Sequence, residues 1–164
     1  MVIVLKLETL FLRLVVVFLA VPVLALCIFV VPGMGRYAAE TVLPLFPPVK
    51  FFVWLVLYVS AAAYYVALYQ AFNLLRFIDR NVAFSELSVE ALKKIKYCAV
   101  AIGILHSLVL PLYYFVAKED DAPGVVLVGC FVPFASLVIA VFAAVLQKLL
   151  QHVIAIKTEN DLTI

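Results

Sequence analysis

Residues 125–146 read VVLVGCFVPFASLVIAVFAAVL, 22 consecutive positions without Asp, Glu, Lys or Arg. Wound as a helix, such a run rises about 33 Å, enough to cross the roughly 30 Å hydrocarbon core of a bilayer. A strand of a membrane barrel would instead alternate apolar and polar positions over about ten residues, and this run does not alternate. Working towards the N-terminus, three more uncharged runs appear: Tyr97–Ala117, Phe51–Tyr69 and Leu14–Val31, of 21, 19 and 18 residues. The pattern predicts an all-α integral membrane protein, a single domain over 1–164 with four spans running up-down-up-down as a four-helix bundle.

The whole-chain balance agrees. Of 164 residues, 68% are apolar or aromatic and 13% charged, about half the charged share of a soluble domain, which excludes a water-soluble fold. A net charge of +2 is too small for direct nucleic-acid binding, which needs several cations on one surface. Cys27, Cys98 and Cys130 are widely spaced, with no CxxC and no His at ligand intervals, so the residues define neither a metal site nor a disulfide framework. Lys6 and Arg13 before the first apolar run resemble a secretion signal. Leu26 is too large for the position before a cut, and the first helix is expected to be retained.

Charge sets the expected orientation. Segments 1–13, 70–96 and 147–164 hold nine of the twelve Lys and Arg, leaving Arg36, Lys50 and Lys118 for the other connectors. The positive-inside bias places both termini in the cytoplasm, and an even number of spans likewise requires them to share a side. The acidic turn 118–124, containing Glu119, Asp120 and Asp121, then closes the third and fourth spans outside. The connector Pro32–Lys50 carries Pro32, Pro44, Pro47 and Pro48, so it cannot form one continuous helix, although 36–43 could form a short helical piece. Leu45-Phe46-Pro47-Pro48 is apolar enough to rest on the membrane boundary. Trp54, Tyr113, Tyr114 and Tyr97 sit where an aromatic belt belongs.

Lipid removes the apolar drive for helices to associate, so close backbone approach at small residues has to supply it. Stripes at i, i+4, i+8 occur as Ala63, Ala67, Ala71; Ala99, Gly103, Ser107; and Ser136, Ala140, Ala144. They fit a seam inside the bundle, and also a surface for a homo-oligomer. Pro22, Pro111 and Pro133 fall inside spans and should bend them.

On the cytoplasmic side the helices should outrun the lipid. Gln70, Asn73, Arg76 and Arg80 share one helical face, a break follows at 81–85, and Ser85 or Ser88 can cap the helix that restarts, with Glu86 or Glu90 at its positive end. Lys93, Lys94 and Lys96 precede the third span, and Gln147, Lys148, Gln151 and His152 leave the fourth. Together they make a compact polar platform beside the tail. Its cations suit anionic headgroups, and the mixed signs also suit a protein partner. The candidate docking residues are Phe84, Glu86, Glu90, Lys93, Lys94, Lys96, Lys157, Glu159 and Asp161.

The spans hold no Asp or Glu. His106, beside Ser107, is the one ionisable residue near the middle of a span, expected to be neutral and hydrogen-bonded to a hydroxyl or carbonyl. Glu8 and Arg13 read as interfacial anchors. No nucleophile motif, H-E-x-x-H, glycine-rich phosphate loop or aspartate cluster is present, so no enzyme and no cofactor is expected.

Several segments are distinctive: 22–27 (PVLALC), 84–98 (FSELSVEALKKIKYC), 143–150 (AAVLQKLL) and 156–164 (IKTENDLTI). The chain resembles the bacterial membrane family catalogued as domain of unknown function 2975, the YoaS-like proteins, over nearly its whole length. The resemblance implies a small four-span inner-membrane protein, often encoded beside a Cro/C1-type helix-turn-helix regulator, and it supplies no catalytic residues. The resulting expectation is a non-catalytic sensor or regulatory partner of such a transcription factor. The alternatives are a small dimeric transporter or resistance component, whose minimal four-helix forms use an embedded glutamate missing here, and a purely structural role in the membrane.

Overall fold

The computed structural model describes residues 2–37, 40, 49–119 and 121–161. All secondary structure among them is helical: α1 (Val2–Ala25), a π-helical turn (Leu26–Val30), α2 (Val31–Tyr37), α3 (Val49–Asp79), α4 (Glu86–Glu119) and α5 (Gly124–Asp161). Four helical stretches are long and apolar enough to cross a membrane: Thr9–Arg36, Phe51–Asp79, Glu86–Lys118 and Gly124–Asn160. The chain is a four-helix membrane bundle. Its large apolar side chains point outward, with Phe18, Phe29, Phe131 and Phe142 each well over half exposed, while Ala99, Ala140, Ala143, Ser60 and Ser136 are buried. Water would not tolerate that distribution, and lipid favours it.

Each span packs on its neighbour in the chain: α1 on α3, α3 on α4, and α4 on α5. Among the described residues α1 touches neither α4 nor α5, so the spans form an open row with α3 and α4 in the middle. The small-residue seam lies between α4 and α5, where Gly103 faces the Ser136 Cβ and the Pro133 carbonyl. The buried set on α5 is Gly129, Ser136, Ala140 and Ala143, whereas Ala144 is half-buried and Ser107 exposed. Steps of four drift by about 40° each on a helix of 3.6 residues per turn, so a seam of this length needs an intervening step of three.

The first connector differs from expectation. Helix continues through Pro32 to Tyr37, and the π-helical turn explains how. In that wider register the Val31 N–H reaches the Leu26 carbonyl. The next donor would be Pro32, which has none, and the Cys27 carbonyl instead accepts from the Tyr58 hydroxyl at 3.4 Å. Most of the piece expected over 36–43, and Leu45–Pro48, lie outside the described residues. Trp54 does not simply mark the boundary, because its indole lies against buried Gly35. Pro22, Pro111 and Pro133 lie within continuous helices.

Two side chains in the left-handed region end helices. Asn81 (φ 59°) follows α3, with Val82 N–H donating to the Phe77 carbonyl at 3.0 Å and Asn81 N–H to that of Ile78 at 3.1 Å. Asp121 (φ 48°) does the same after α4, with Ala122 N–H donating to the Ala117 carbonyl at 3.0 Å. The first has both bonds of a Schellman closure and the second its 6→1 bond, each made by a residue type that tolerates this conformation best after glycine.

Candidate functional site

The start of α1, the end of α5, the α3–α4 turn and the helix extensions gather at one end of the bundle, where the sequence expects its polar platform. Two polar links set its geometry. Lys96 Nζ donates to Gln147 Oε1 at 3.2 Å, tying α4 to α5, and also lies 5.0 Å from the Tyr97 ring centroid. α4 and α5 are antiparallel, so Glu86 and Lys157, each ten residues beyond this rung, stand at a similar height about 15 Å away. The two docking segments therefore meet at their ends, Lys157 level with Glu86, while Lys93 and Lys94 stand roughly 10–12 Å further along α4. Asp161 ends α5, with its side chain outside the described residues, and Lys157 and Glu159 are exposed just before it.

The second link is between Arg13 on α1 and Asp79 at the end of α3, an ion pair in which the guanidinium also lies 5.4 Å from the Phe72 ring centroid. Sequence reading makes Arg13 an interfacial anchor and does not find this partner. The available signal is that Asp79 is the one acid in α3. The side chain of Glu8 lies outside the described residues. Tyrosines extend the α1–α3 contact: Tyr64 donates to the Leu19 carbonyl at 3.2 Å and Tyr65 to that of Ala20 at 2.9 Å. Helix carbonyls keep a second lone pair, and a hydroxyl held among helices in lipid finds acceptors there. Span length and hydropathy carry no trace of these rungs.

On α4 the exposed face presents Glu86, Glu90, Lys93 and Lys94 with Leu87, 56% exposed, whereas Phe84, 61% exposed just before the helix, borders a groove with Ile78 and Val153. Lys94 pairs with Glu90 at 2.9 Å, one turn away. Hydrogen bonding and charge from Lys94 hold the Glu90 carboxyl below its ordinary range. A depressed acid contributes stability above its unfolded pKa and loses it as pH falls through the folded value, so this support disappears only below the usual carboxylate range. Lys96 differs from its neighbours, being half-buried and engaged with Gln147.

Helix α4 starts at Glu86, which puts Ser85 in the capping position. Its carbonyl accepts the amides of Ser88 (3.0 Å) and Val89 (3.3 Å), but its hydroxyl makes no cap bond, contrary to the sequence expectation. Ser88 is completely buried, and its hydroxyl likewise has no partner. Burying a hydroxyl without a hydrogen bond costs about 1–3 kcal/mol. Ser88→Ala should therefore raise the unfolding free energy by about 1 kcal/mol in a denaturant titration. A loss of that size would show that the hydroxyl is satisfied.

Within the spans, His106 and Ser107 do not form a pair. The His106 Nδ1–H donates to the Ile102 carbonyl at 3.1 Å, and the Ser107 hydroxyl to that of Gly103 at 2.8 Å, each one turn back on α4. Among the described residues no three His, Cys, Asp or Glu side chains gather closely enough to hold a metal ion. Cys27, Cys98 and Cys130 are free thiols.

Fold and site define a four-span α-helical membrane protein with a polar platform at the end where α1 starts and α5 stops. The chain belongs to the family described as Protein of unknown function (DUF2975), whose model matches residues 33–164. It is 54% identical over 159 residues to the Uncharacterized membrane protein YoaS of Bacillus subtilis (strain 168), covering 97% of this chain and 99% of that one. No solved structure matches it.

Proposed function

We propose that this protein is a non-catalytic regulatory partner in the bacterial cytoplasmic membrane, with both termini and the platform in the cytoplasm, and that it holds or senses through a small Cro/C1-type helix-turn-helix transcription factor. The observation that carries the reading is the exposed α4 face, where Leu87 stands among Glu86, Glu90, Lys93 and Lys94, with exposed Phe84 just before the helix and Lys157 level with Glu86. Apolar anchors inside a rim of both signs favour one partner over others, whereas attraction to anionic lipid needs only the cations. The orientation is supported by the excess of Lys and Arg in segments 1–13, 70–96 and 147–164.

The test is capture of the helix-turn-helix protein encoded beside the gene by the full chain in nanodiscs. Exchanging Lys93 and Lys94 for glutamine and deleting residues 157–164 should weaken capture at least tenfold while leaving helicity intact. Unchanged capture would remove the reading. Vesicles with and without anionic lipid identify the headgroup alternative, in which the same variant loses lipid binding instead. The transporter alternative rests on His106, and proton-coupled efflux that His106→Ala abolishes would put it first.

A further inference from the structure

We infer that α5 pairs two copies of this chain through a heptad seam that starts within the bilayer and continues into water. Along α5, Ile139, Phe142, Leu146, Leu149, Val153 and Ile156 follow one another at alternating steps of three and four, and Asn160 continues the series. This is the spacing of a and d positions in a two-stranded coil. The six apolar members are 52%, 66%, 41%, 58%, 42% and 59% exposed, and Asn160 is exposed too. The face is not the one that meets α4, which is formed by Ser136, Ala140, Ala143 and Gln147.

Lipid accounts for only part of this stripe. Val153 and Ile156 lie roughly 9 and 14 Å beyond the Lys96–Gln147 rung, past the reach of acyl chains. Leu149 and Val153 border a groove of about 280 Å³ whose other edge is Ile78 and Phe84, so the apolar surface outside the lipid is broader than the helix alone. The stripe exposes roughly 600 Å² per chain, a large part of the ~800 Å² each partner gives a standard stable interface.

The occupant is a second copy because the stripe is complementary to itself. Copies inserted in the same orientation present α5 to α5 in parallel, a against a and d against d. The one polar member falls at an a position, where paired asparagine amides fix register and favour two strands. The pairing does not depend on the proposed transcription factor.

Disulfide scanning in native membrane vesicles decides it, in a full-length chain whose Cys27, Cys98 and Cys130 are replaced by alanine. Val153→Cys and Ile156→Cys should give at least fivefold more oxidised dimer than Gln151→Cys and Thr158→Cys on the opposite face. Adding Leu149→Glu to Ile156→Cys should remove the excess. Equal yields around the helix, or an excess indifferent to Leu149→Glu, would overturn the proposal and leave lipid or a foreign partner on the stripe.

Discussion

Asp79→Ala will lower the unfolding free energy of the detergent-solubilised protein by about 1–3 kcal/mol, and Arg13→Ala will lower it at least as much. Removing one member of a fully buried ion pair costs about 3–5 kcal/mol, because the other charge is left without its partner. Here the side chains remain 30% and 23% exposed, so water softens the penalty. Arg13→Ala also gives up the contact with the Phe72 ring. The pair matters because, among the described residues, α3 is the one other span that α1 packs on. The double variant should cost less than the sum of the singles, which a double-mutant cycle in an SDS titration reads directly. Additive singles within about 0.3 kcal/mol of each other and of zero would mean the pair does not hold α1.

The second large effect separates two glycines that look alike in sequence. A Cβ at Gly129 would lie 2.8 Å from the Tyr113 Cγ and 3.2 Å from its Cβ, atoms too near the α4 backbone to swing aside. Gly129→Ala must push α4 and α5 apart, costing about 1–3 kcal/mol in overpacking against a gain of up to about 1 kcal/mol in helix propensity. At Gly103 the nearest atoms would be 3.6 and 3.7 Å from a new Cβ, ordinary contacts, so Gly103→Ala keeps the propensity gain. Gly129→Ala should thus unfold at lower denaturant than the native protein, and Gly103→Ala at equal or higher. The reverse order would place the tight point of the seam elsewhere.

Much of this was legible beforehand, because lipid leaves few solutions. Uncharged runs of 18 to 22 residues mark the four long apolar helices, and the charged segment before Tyr97 is the first part of α4. Ala99, Gly103, Ser136 and Ala140 were found as a seam because close approach needs small residues whatever the partner. The departures come from bonds that depend on what lies opposite. Nothing near Pro32 signals that a π-helical turn and Tyr58 from another helix would carry helix past it. Arg13 and Asp79 are 66 positions apart, and only packing joins them. Ser85 has the right identity for a cap, yet its hydroxyl is turned to no amide. At the platform, sequence found Lys93, Lys94 and Lys96 as a group, and geometry separates the third, which braces α4 against α5.

Reporter fusions at Asp121 and after the carboxyl end test most directly the arrangement of four crossings with the platform inside. A periplasm-dependent phosphatase placed at the Asp121 turn should be active, and a cytoplasm-dependent fluorophore at the carboxyl end should glow. Both sites reporting the same side of the membrane would contradict the crossing of α5, and with it the platform and the seam proposed for that helix.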